Sequence, residues 1–169
     1  MKTKLTMMVA AAMACAAIQL TAMPTEEEAR KAEPVVKKML AQERAALNSG
    51  KMTRSEVAAA AMKLADKAES DAEKLLLMKG ACDFYVHAGE FDKAIETLQA
   101  MMMKIPDIPY AAIVSILEYS LRGVPRNRAK DLWAFLDETK SRLRNTDTTH
   151  GKKAQSETNI QKFYRLFPG

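Results

Sequence analysis

Apolar residues recur every three or four positions through most of this chain, and glycines and capping residues mark where each such stretch begins and ends. The clearest stripe is Phe91, Ala94, Ile95, Leu98, Met101, Met102 and Ile105, one face of a helix with 3.6 residues per turn. Before it, Val57, Ala61, Leu64, Ala65 and Ala68 share a face over 53–69, and Ala72, Leu75, Met78, Cys82, Tyr85 and Val86 share one over 71–88. After it come Tyr110, Ile113, Val114, Leu117 and Leu121, then Ala129, Leu132, Trp133, Leu136 and Leu143. Trp133 is expected to anchor this last pair. No stretch alternates apolar and polar residues long enough to make a strand, so the predicted fold class is all-α.

The punctuation agrees. Thr25-x-x-Glu28, Thr53-x-x-Glu56 and Ser70-x-x-Glu73 are capping boxes, each able to satisfy amide donors that a helix start leaves open. Asp107 before Pro109, and Val124-Pro125 before Arg126, mark two further starts. Gly50, Gly89 and Gly123 fall between periodic stretches, whereas Gly80 sits inside one. The first helix, about 26–47, carries Val36, Met39, Leu40 and Leu47 on its apolar edge, and Pro34 is expected to split it. Connections at 48–52, 88–90, 106–109 and 123–126 are short and predict antiparallel neighbours. Residues 145–153 are polar throughout and read as a flexible loop. Ile160, Phe163, Tyr164 and Phe167 then space out a C-terminal helix over 154–169, read as a cap on the last hairpin.

The N-terminus reads as an address. Lys2 and Lys4 precede an uncharged run from Leu5 to Thr25, and Ala22 offers a small residue for cleavage, the parts of a secretory signal peptide over 1–22. An uncleaved anchor is the alternative, because the run approaches the ~20 residues that span a bilayer. Gln19 and Thr21 weigh against it. The expected localisation is therefore exported, periplasmic or secreted, with no membrane span once the signal is cleaved.

Composition narrows the function. Two cysteines among 169 residues exclude a disulfide scaffold and a Cys-only zinc site. Cys82 is the only thiol after residue 22, either buried in a helix or paired with another molecule. No phosphate-cradling glycine loop, paired Cys-x-x-Cys or His-Glu-x-x-His helix occurs, so no catalytic residue, cofactor or metal is assigned and the chain reads as non-enzymatic. Cys82 and His87 diverge by about 140° around a helix and make no nucleophile–base pair. Asp83 and His87, four apart, can touch. Met101, Met102 and Met103 point about 100° apart and cannot converge on one ion. Charge is uneven: residues 24–121 carry 13 basic and 16 acidic side chains, while 122–169 carry 11 and 5. Arg122, Arg126, Arg128 and Lys130 crowd one turn, a candidate end for an anionic ligand or else a solvated surface. Nucleic acid is not an expected partner, since no aromatic residues interleave with these bases.

Residues 75–108 span 34 positions, and Gly89-Glu90-Phe91-Asp92-Lys93-Ala94-Ile95-Glu96 resembles the turn and second helix of a tetratricopeptide repeat. Tyr85, Ala94 and Pro106 fall on that motif's Tyr, small and closing Pro positions, while Met78, Ala81, Cys82 and Met101 depart from it. The resemblance implies about three stacked helical hairpins over 23–144, with the first helix of each lining a concave surface. By that register the surface presents Lys37 and Arg44, then Lys79, Asp83, Val86 and His87, then Glu118 and Arg122. It would hold a protein or peptide partner. Lys79-Gly80-Ala81 with Tyr85-Val86 and the Gly89–Ala94 run also resembles helical segments preceding formylglycine-generating-enzyme-like domains of secreted bacterial proteins. That likeness implies an accessory module of such a system. A self-assembling structural periplasmic protein, its hairpins stacking on further copies, is the remaining alternative.

Overall fold

A computed structural model describes residues 24–105 and 108–150, with the backbone alone over 146–150. Seven helices and no strand occur among the described residues: α1 (Glu26–Met39), α2 (Ala41–Asn48), α3 (Arg54–Ala65), α4 (Asp71–Ala88), α5 (Phe91–Lys104), α6 (Tyr110–Ser120) and α7 (Lys130–His150). The fold is all-α. The expected signal peptide over 1–22 and the C-terminal helix over 154–169 lie outside the described residues.

Two of the three capping boxes close fully. Thr25 Oγ1 accepts the Glu28 amide at 3.3 Å while Glu28 Oε2 accepts the Thr25 amide at 2.7 Å, and Thr53 and Glu56 repeat the exchange at the same distances. At the third, Ser70 Oγ accepts the Glu73 amide at 3.2 Å, but Glu73 Oε2 accepts from the Glu69 amide instead. Ser70 alone caps the helix on which four others pack. Ser70→Ala should cost about 1 kcal/mol of stability, read as a lower urea midpoint with an unchanged slope.

α4 is that helix. It packs against α1, α3, α5 and α6, and its most extensive contact is with α3. Ala58, Ala61 and Ala65 of α3 and Ala72 and Ala81 of α4 are all buried, and such small side chains let helix axes approach closely. Leu75, Leu76, Leu77 and Met78 are consecutive and all buried, so this part of α4 is enclosed around a full turn. Its end is a Schellman motif. Gly89 has φ +79°, its amide donates to the Val86 carbonyl at 3.0 Å, and the Glu90 amide donates to Tyr85 at 2.9 Å. Gly89 accepts that left-handed conformation without a Cβ penalty and lets α5 begin two residues later. α7 completes the body by packing on α6 and α5.

Four expectations are corrected. α1 runs through Pro34, and the break comes at Leu40 (φ −97°, ψ 7°). Pro34 removes one backbone bond, but Ala29, Ala32 and Val36 are buried on either side of it and hold the helix together. Pro125 opens a turn closed by the Arg128 amide on its carbonyl at 3.0 Å, and α7 starts only at Lys130. Residues 145–150, expected in a loop, continue α7, because no glycine or proline interrupts the chain between Lys130 and Gly151. Trp133 is only partly buried, while Leu132 and Leu136 beside it are fully enclosed. Its indole Nε1–H donates to the Val124 carbonyl at 3.3 Å, and the Arg126 guanidinium lies 4.8 Å from its ring. It clasps the α6–α7 connection from outside instead of filling the core.

Candidate functional site

α4 meets both α1 and α6, and Lys79 is the residue through which these three helices share polar contacts. Its Nζ lies 5.1 Å from the centre of the Tyr119 ring on α6. The Arg122 guanidinium lies 5.1 Å from the centre of the same ring, so one aromatic face system serves two cations. Burial pushes the Lys79 ammonium below the usual lysine range, against the opposing pull of Asp83 on α4 and Glu33 on α1. Glu33 in turn pairs with Lys37 at 2.6 Å. A band of alternating charge thus runs from Lys37 and Glu33, through Lys79 and Asp83, to Tyr119 and Arg122.

Asp83 and His87 stack one turn apart, as their spacing predicts. His87 Nδ1 is 2.8 Å from the Asp83 carbonyl oxygen and 3.5 Å from its Oδ1. That Oδ1 is buried and accepts no hydrogen bond. His87 itself is exposed.

Of the eight residues expected on a binding surface, Lys79, Asp83, His87 and Arg122 come together here, with Lys37 beyond Glu33. Three do not join them. Val86 is 3% exposed and belongs to the core, because it lies on the helix face that α4 turns inward. Glu118 pairs with Lys140 of α7 at 2.7 Å and is drawn away from the band. Arg44 is exposed on α2, past the break at Leu40. Two members were missed. Glu33 reaches Lys79 only through the packing of α1 on α4, and Tyr119 lies off the apolar stripe of its helix. The signal for Tyr119 was its place three residues before Arg122, across the turn that ends α6.

Cys82 is fully buried. Burial, reinforced by the charge of Asp83 and partly offset by the Ser120 hydroxyl, pushes its thiol up to about 12. A thiol held this way is neither a nucleophile nor open to pairing with another molecule. Met101 is buried, Met102 half-buried and Met103 79% exposed, so the three diverge as their succession predicts. Among the described residues no group of three His, Cys, Asp or Glu side chains is placed to hold a metal ion.

The basic turn is divided. Arg126 is taken up by Trp133 and by Asp137, 3.2 Å away. Arg128 and Lys130 line an open cleft of about 410 Å³ with Gly89, Glu90 and Lys93. Asp92 and Asp131 also line it, so its walls carry three cations and three carboxylates. No helix among the described residues is long and apolar enough to cross a membrane.

Neither a family model, nor a curated protein, nor a solved structure matches the chain.

Proposed function

We propose that this chain is an exported, non-enzymatic interaction module of stacked, tetratricopeptide-like hairpins that binds a protein or peptide partner across α1, α4 and α6. The observation that supports it is the Lys79–Tyr119–Arg122 group. It draws Lys79 of α4, Tyr119 of α6 and Arg122, just past the end of α6, into one polar patch beside Asp83. Cation–ring contacts hold long side chains in place, and less rotamer freedom is lost when a partner docks. The basic, apolar and small-residue sequence of 1–22 supports export.

Affinity capture tests this reading. Tagged residues 23–169 are incubated with the native cell-envelope fraction, and recovered proteins are identified by mass spectrometry. One saturable partner is expected, and the combined Lys79→Ala, Tyr119→Ala and Arg122→Ala variant should recover it at least tenfold less well with unchanged helicity. Equal recovery by the variant would reject this surface. Recovery of the bait alone, with a mass that grows with concentration in sedimentation, would replace the partner with further copies of the chain.

A further inference from the structure

Gly80 lies inside α4, the helix on which the fold depends, where a glycine is less favourable than an alanine. Interior glycines usually answer to a neighbour that comes too close for a side chain. None does here. A Cβ at Gly80 would meet nothing within 4 Å, and its backbone conformation is ordinary helix. The space above it is open and bordered on the same helix by Lys79, Asp83, half-buried Phe84 and exposed His87.

We infer that Gly80 is the crossing point for an extended acidic segment of a partner protein, whose main chain passes over the bare helix while a carboxylate pairs with Arg122. This rests on the docking reading above and adds to it the chemistry and path of the occupant. The charges set its direction. Glu33 and Asp83 neutralise the α1 side of Lys79, whereas Arg122 makes no ion pair among the described residues and meets the Tyr119 ring instead. Acidic residues are therefore favoured toward α6. The dimensions agree. Two helix–helix steps of ~8–10 Å, from α1 through α4 to α6, span at most ~20 Å. About six extended residues at ~3.3 Å each cover that distance.

Random dodecapeptides displayed on phage are panned on the native protein, and the selected sequences are synthesised with a fluorophore for anisotropy titration. The selected peptides are expected to carry at least two acidic residues. Their Kd should rise at least tenfold with Gly80→Phe, which fills the crossing point, and with Arg122→Ala. Gly80→Ala, which fits the open space, should melt higher than the native chain. Gly80→Gln replaces the Phe variant if Phe lowers the melting temperature. Peptides without acidic residues that still lose affinity on Gly80→Phe would overturn the acidic occupant and leave the docking surface standing. Peptides indifferent to both substitutions, or no selected peptide at all, would overturn the two together.

Discussion

Leu77→Ala is expected to remove roughly 3–5 kcal/mol of stability, more than any surface change in the molecule. Leu77 is fully enclosed on α4, and its removal leaves a cavity among helices that cannot all close on it at once. Most small domains are stable by only ~5–15 kcal/mol, so the variant should lie close to unfolding at 37 °C. Trp133→Ala is the instructive comparison. Tryptophan is the larger side chain, and a fully buried one would cost as much or more. Trp133 is only partly buried, so its loss removes part of an apolar face, one hydrogen bond and a cation–ring contact, about 1–2 kcal/mol in all. Urea titrations of both variants, followed by circular dichroism, decide the order. A larger loss for Trp133→Ala would move the centre of the core from α4 to the α6–α7 hairpin.

That comparison marks what the sequence made legible. Period and caps located α4, α5 and the start of α3 closely, because Thr53, Ser70 and Gly89 each act through bonds to their own near neighbours, whereas α3 ends at Ala65, short of the 69 that its apolar spacing suggested. They also named three of the four buried residues of α5, Ala94, Leu98 and Met101, and passed over Thr97, whose hydroxyl is satisfied by the Lys93 carbonyl. The centrality of α4 was not legible. A helix packed on four others is apolar nearly all round, and periodicity reports one face, not the number of neighbours. The Leu75–Met78 run was the available sign of it. Val86 was misplaced for the same reason, since packing on four helices leaves α4 an outer face narrower than the repeat register implies. Within the candidate site, Lys79, Asp83, His87 and Arg122 were legible from register. Tyr119 was not, because which aromatic ring meets both cations depends on how α6 is set against α4, a tertiary fact.

Cys82 carries the second large effect. With its pKa raised from 9.0 to about 12, its thiolate at pH 8 is roughly a thousandfold scarcer than in the unfolded chain. It is also wholly shielded, so reaction must wait for α4 to open. Labelling with a chromogenic disulfide reagent at pH 8 should therefore run at least a thousandfold slower in the native protein than in urea. A native rate within tenfold of the unfolded rate would place the thiol at the surface and reopen intermolecular pairing. The same shift has a thermodynamic consequence. An unfolded thiol loses its proton from about pH 9, while the folded one keeps it to about 12, so the native state binds more protons across that interval. The contribution of Cys82 is complete below pH 9 and is lost as pH rises, by up to tenfold in the folding constant per pH unit. Tyr85, whose hydroxyl is raised mainly by burial, adds to this loss, and Lys79, lowered mainly by burial, opposes it. Subtracting the pH profile of Cys82→Ala isolates the thiol, because both other groups remain in the variant. The difference should be flat to pH 9 and then fall steadily toward pH 12. A difference flat throughout would mean that water reaches the Cys82 thiolate in the folded state, and the contact of α4 with α6 would have to be looser than the burial of Cys82 and Ser120 implies.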